Sequence, residues 1–117
     1  MDRLLRATLN TWHGLIDAAR SEAAFRQELV ALLLSVPLAF VVASESWKRL
    51  LLIAVVALVL VVELLNTAVE KLADRVTMTR EDQIRQVKDM GSAAVGVALI
   101  LAGLFWLFAI VERMGAI

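Results

Sequence analysis

The sequence predicts an all-α membrane protein, with an N-terminal amphipathic surface helix followed by three transmembrane helices in a single domain, 1–117. Three observations predict it. The 117 residues are 61% hydrophobic, with a mean hydropathy of +0.79, where soluble domains hold roughly 45–50% apolar residues. Three apolar runs, Leu29–Ala43, Leu50–Val62 and Met90–Val111, carry no charged residue. Before them lies a charged stretch of helical period, with no Gly/Ser/Pro-rich linker anywhere in the chain.

The surface helix is predicted over 3–27. Arg3, Arg6, Asn10, His13, Asp17 and Arg20 recur every three or four residues. Leu5, Leu9, Trp12, Leu15, Ile16, Ala19 and Ala23 fill the other face. Arginines opposite a tryptophan suit a helix lying in the membrane interface. This charged stretch also argues against a cleavable signal, because the first long apolar run begins only at Leu29.

The spans are predicted at about 29–46, 48–72 and 88–112. A span needs about 20 mostly apolar residues. Met90–Val111 meets that unaided, whereas the first two runs draw on their flanks. The short connection Ser44–Arg49 makes the first two spans antiparallel neighbours, with Trp47 and Trp106 as anchors at the outer interface. The stretch Thr77–Gln86 reads as a solvated loop. In the third span Gly91, Gly96, Ala98, Ala102 and Gly103 form a face that lets helices approach closely.

Basic residues set the orientation. Arg3, Arg6, Arg20, Arg26, Lys71, Arg75, Arg80, Arg85 and Lys88 fall on the side of the N-terminus and the long loop. Only Lys48, Arg49 and Arg113 fall on the other. The N-terminus is therefore expected in the cytoplasm and the C-terminus outside it.

Several function classes are excluded or disfavoured. Zero formal net charge gives no general attraction for nucleic acid. The absence of cysteine removes disulfides, thiolate metal sites and a thiol nucleophile. Gly91 and Gly96 have the spacing of a phosphate-binding loop, but Val97 and Ala98 stand where Lys and Ser/Thr belong.

The chemistry-bearing residues gather at the cytoplasmic end. In E-L-L-N-T-A-V-E, Glu63 and Glu70 are seven apart and nearly eclipsed on a helix. Asn66 lies between them and Asp74 continues the ridge. Ionisable groups at membrane depth are costly and mark function by default. Glu63 follows an unbroken apolar run, and partial desolvation suits it to general-base work. K-D-M-G-S, Lys88–Ser92, opens the third span at the same membrane face, with Lys88 a point charge for phosphate. Glu22 stands where the surface helix must turn into the first span and can approach Glu70. Two carboxylates without a basic partner call for a divalent cation, and Mg²⁺ is held by one or two carboxylates plus substrate phosphates. The residues alone suggest phosphate transfer to a lipid alcohol.

E-L-L-N-T-A-V-E, Asp74, K-D-M-G-S-A-A-V and E-A-A-F-R-Q-E together resemble the prokaryotic diacylglycerol kinase family over nearly the whole chain. The resemblance implies a small multi-pass kinase of the bacterial inner membrane, with its C-terminus periplasmic. It implies transfer of the ATP γ-phosphate to diacylglycerol with Mg²⁺, and a homotrimer with active sites shared between subunits. It implies Glu63 as catalytic base and Glu22 and Glu70 as metal ligands. Nucleotide contacts would come from Arg3, Asn10, Glu22, Glu70, Asp74, Arg80, Glu81, Lys88 and Asp89. Lipid-substrate contacts would come from Arg3, Trp12, Glu28, Glu63, Asn66 and Ser92. Asn10 departs from the pattern, an amide standing where the enterobacterial form has a tyrosine. The same motifs leave undecaprenol kinase as an alternative. From other classes, a non-enzymatic membrane subunit would explain the spans, and a proton or ion pathway would use Glu63 and Glu70 as relays.

Overall fold

The computed structural model describes residues 2–76 and 81–117. Among them are four helices: α1 (Asp2–Ser21), α2 (Ala23–Val42), α3 (Ser46–Val76) and α4 (Asp82–Arg113). The last three are long and apolar enough to cross a membrane. α3 packs against both α2 and α4, and α1 meets the rest chiefly through α2. The molecule measures 53 × 42 × 22 Å.

Helix α1 ends at Ser21, earlier than the expected 27, and α2 begins at Ala23, earlier than the expected 29. The break falls on Glu22, whose backbone is extended at φ −119° and ψ 113°. No glycine or proline marks it. Instead Arg26 reaches back across the elbow, its Nη1 donating to the carbonyls of Ala19 (2.8 Å) and Arg20 (3.2 Å). These are orphan carbonyls of a helix C-terminus, satisfied by a cation from the next helix.

At the other end of α2 the turn is tighter than Ser44–Arg49, because α3 already begins at Ser46. Arg49 Nε donates to the Ala43 carbonyl at 2.8 Å, and Lys48 Nζ pairs with Glu112 at 2.7 Å, joining this turn to the end of α4. Trp47 is exposed, its indole N–H donating to Glu45. Trp106 is half-buried. It packs against Ala39, Ala43 and Leu52, and its N–H donates to the Leu52 carbonyl at 3.0 Å.

Helix α4 starts at Asp82, well before the expected 88, so Asp82–Gln86 of the predicted loop and all of Lys88–Ser92 are helical, while Thr77–Arg80 lie outside the described residues. Glu81 is the extended N-cap residue and Asp82 puts a carboxylate in the first turn, where the helix dipole favours negative charge.

Two small apolar clusters hold the bundle. Ala18, Phe25 and Leu60 bring α1, α2 and α3 together, while Ala39, Ala43 and Leu52 close the far end. Most large apolar side chains face outward, including Leu33 (72% exposed) and Val97 (66%). So much outward apolar surface suits a lipid environment. α3 has 31 residues and is therefore about 46 Å long, against a hydrocarbon core of about 30 Å. The uncharged run Leu50–Val62 lies within α3, Glu63 follows it directly, and Glu70 and Asp74 stand two and three turns further on.

Candidate functional site

The ridge read from E-L-L-N-T-A-V-E exists on α3. Glu63 is buried, Asn66 and Glu70 are half-buried, and Asp74 is exposed. Burial of Glu63 follows from its position beneath the α1–α2 elbow, one turn beyond Leu60 of the first cluster. Asn66 Nδ2 points at Glu70 Oε1 across a long 3.5 Å contact.

The elbow brings further carboxylates to this ridge. The charges of Glu70 and Glu22 both act on Glu63, and that of Glu63 acts on Glu28. Glu22 terminates α1, while Glu28 stands in the second turn of α2 with its Oε1 buried and unpartnered. Among the described residues, none of these four glutamates forms an ion pair. Nor do any three His, Asp or Glu side chains converge to hold a metal ion unaided. The donor set nonetheless fits Mg²⁺, which is content with one or two carboxylates when other oxygens complete its shell.

Cations flank the acidic cluster. Lys88 of α4 pairs with Asp74 at 2.6 Å, and Lys71 donates to Ser21 Oγ at 3.1 Å, tying α3 to the last residue of α1. Asp89, expected at the nucleotide, pairs with Arg85 one turn earlier at 2.9 Å. Ser92 is exposed on α4, and Glu81 caps that helix. Arg3, Asn10 and Trp12 are exposed on α1, with no hydrogen bond or ion pair to α3 or α4 among the described residues. Arg80 lies outside the described residues.

Two grooves open along α3, and Glu63 lines neither. One, of about 410 Å³, runs between Thr11, Gly14, Leu15 and Ala18 of α1 and Leu64, Thr67, Ala68 and Lys71 of α3. It is largely apolar, with Asp17 and Lys71 its charged lining residues. The other, of about 260 Å³, lies between the three spans, with Glu28 its only charged lining residue. Sequence reading missed Thr67, which is buried one turn after Glu63 and lines the first groove. The i,i+4 spacing from Glu63 was the available signal. Gly91, read from the sequence as part of a helix-packing face, faces Asn66 across the α3–α4 interface; its partner there was not foreseen.

The arrangement can take a proton at Glu63, balance anionic phosphate with Lys88 and a cation among the carboxylates, and seat an apolar chain beside them. The family model for prokaryotic diacylglycerol kinase matches residues 9–110. The chain belongs to the prokaryotic diacylglycerol kinase family. It is 42% identical to "Diacylglycerol kinase" of Escherichia coli (strain K12) over 97% of this chain and 93% of that protein. It is also 42% identical to the Pseudomonas aeruginosa diacylglycerol kinase, over 91% and 86% of the two chains. The Helicobacter pylori (strain 26695) kinase is 36% identical over 89% and 81%. These kinase relatives match the chain nearly end to end, so the four-helix arrangement and its acidic ridge fall within the matched region.

Proposed function

We propose that this protein is a diacylglycerol kinase that moves the ATP γ-phosphate onto the free hydroxyl of diacylglycerol, giving phosphatidic acid. The observation that carries the reading is the position of Glu63. It is buried among three other carboxylates, directly after the uncharged run Leu50–Val62 of α3. That depth matches the glycerol hydroxyl of a membrane lipid, and the relatives' name supplies the substrate class.

Glu63 accepts the hydroxyl proton as the oxygen attacks phosphorus. Phosphoryl transfer is mostly positioning and charge neutralisation, and here Lys88 meets the phosphates. Glu22 and Glu70 would hold Mg²⁺, which would supply neutralisation of phosphate charge. Arg3, Asn10, Asp74, Arg80, Glu81 and Asp89 serve the nucleotide. The lipid lies along the groove beside Thr67 and Leu15, with Trp12, Glu28, Asn66 and Ser92 around its headgroup. Lys88 and Asp89 leave their present carboxylate and arginine partners for the nucleotide.

Helix α1 lies in the cytoplasmic interface of the bacterial inner membrane, so that its exposed Leu5, Leu9 and Trp12 enter lipid. The basic residues favour a cytoplasmic N-terminus and a periplasmic C-terminus. The homotrimer with shared sites belongs to the same reading, and the open space beside Gly96 and Gly103 suits close approach of another helix.

The test uses purified protein in bilayers with Mg²⁺ and radiolabelled ATP, with diacylglycerol and undecaprenol in competition. Label enters phosphatidic acid and is lost with Glu63→Gln. Label mainly in undecaprenyl phosphate overturns the substrate, and transfer to neither lipid by folded protein overturns the kinase reading.

A further inference from the structure

Gly91 meets Asn66 where α4 crosses α3. A Cβ built on Gly91 would collide with Asn66 Oδ1 and crowd its Cγ at 3.3 Å, and no other group lies that close. A Cβ on Gly96 would meet nothing within 4 Å. The collision is with the end of the Asn66 side chain, which must shift if Gly91 gains a Cβ. Asn66 Oδ1 is buried and has no hydrogen-bond partner, while its Nδ2 faces Glu70. A buried amide oxygen without a partner is normally avoided because of its desolvation cost. Here it is pressed into the space that a missing side chain leaves.

We infer that Gly91 is a positioning residue. The bare backbone of α4 at Gly91 receives the Asn66 carbonyl oxygen and so turns the amide nitrogen toward Glu70. Resting on the proposed kinase reading, this makes Gly91 a determinant of where the Glu70 carboxylate stands relative to Mg²⁺ and phosphate. An alanine there would push the amide by about an ångström. A misplacement of that size costs on the order of 100-fold in rate even when it originates away from the reacting atoms.

The chain has two asparagines, Asn10 and Asn66, so ¹⁵N-asparagine labelling gives two side-chain amide signals. In full-length protein in bilayers, Gly91→Ala should shift the Asn66 signal and leave Asn10 in place, and Gly96→Ala should shift neither. This readout does not need the kinase to work, so failure of the functional reading is seen separately, as absence of transfer by the unaltered protein. With transfer present, Gly91→Ala should lower kcat about 100-fold and raise the Mg²⁺ requirement, with KM for diacylglycerol little changed. Asn66→Ala combined with Gly91→Ala should be no worse than Asn66→Ala alone. If Gly91→Ala fails to fold, the same double variant should fold, because the collision has been removed. An unmoved Asn66 signal, equal losses at Gly96→Ala, or a double variant that is markedly worse or unfolded overturns the proposal.

Discussion

Lys88 Nζ lies 2.6 Å from Asp74 Oδ1, joining the C-terminal end of α3 to the second turn of α4. The partners are fourteen residues apart, and their side chains are 40% and 49% exposed. At that exposure the pair stabilises the fold by about 0–1 kcal/mol. Its consequence is placement of an ammonium group on the side of the bundle where the acidic ridge ends.

Replacing Lys88 separates these roles. Lys88→Gln should change thermal stability by no more than Asp74→Asn does, within about 1 kcal/mol. The same variant should raise KM for ATP between about tenfold and a hundredfold, the worth of one charge-assisted contact to phosphate. KM for diacylglycerol should hold. Steady-state kinetics with both substrates varied decides it, and an unchanged KM for ATP would remove Lys88 from the nucleotide site.

Glu63 should show the opposite pattern. Glu63→Gln keeps the volume and removes a buried charge that faces Glu22, Glu28 and Glu70. Since burying an unpaired charge is costly, the variant should melt at the same temperature as the parent protein or higher. Its kcat should fall by about 10²–10⁴, the usual contribution of a general base. Calorimetry and kinetics on one preparation test both halves. A variant that is stable and fully active would exclude the base assignment.

Most of this was legible in the sequence, and the exceptions have physical causes. The three apolar runs fix the spans because hydropathy over twenty residues is a strong signal. The ridge Glu63, Asn66, Glu70 and Asp74 follows from period alone. The turn at Glu22 was legible, but the helix bounds on either side of it were not, since no residue there disfavours helix. What ends α1 is a guanidinium from the following helix, a contact that has no local signature. The early start of α4 was hidden by Asp82–Arg85, whose polarity reads as loop although all are tolerated in a helix. Gly91 reads as one of several small residues, and only the opposing Asn66 distinguishes it from Gly96.

The two proposed metal carboxylates should differ from Glu63 in their response to Mg²⁺. Chelation should abolish transfer by the parent protein, and added Mg²⁺ should restore it. Glu22→Gln and Glu70→Gln should each raise the Mg²⁺ concentration for half-maximal rate by at least the roughly tenfold that even an outer-shell partner costs. High Mg²⁺ should recover part of their rate and none of that lost in Glu63→Gln. A Mg²⁺ titration that is superimposable on that of the parent protein would remove either residue from the metal site.

The elbow itself can be tested through Arg26. Arg26→Met keeps an apolar stem of similar length and loses both hydrogen bonds to the end of α1. For an exposed, charge-assisted pair of contacts the stability loss should be about 1–2 kcal/mol. The larger effect should be on the angle between α1 and α2, and therefore on Glu22, which stands at the bend. Spin labels at Thr8 on α1 and Leu50 on α3 should give a single narrow distance distribution in the parent protein and a broad one in Arg26→Met. Arg26→Lys, with one ammonium able to reach a single carbonyl, should fall between them. Rates should follow the same order, with the Mg²⁺ requirement rising as the distribution widens. An equally narrow distribution in all three would mean that the apolar contact of Ala18 with Phe25 and Leu60 holds the elbow without the arginine.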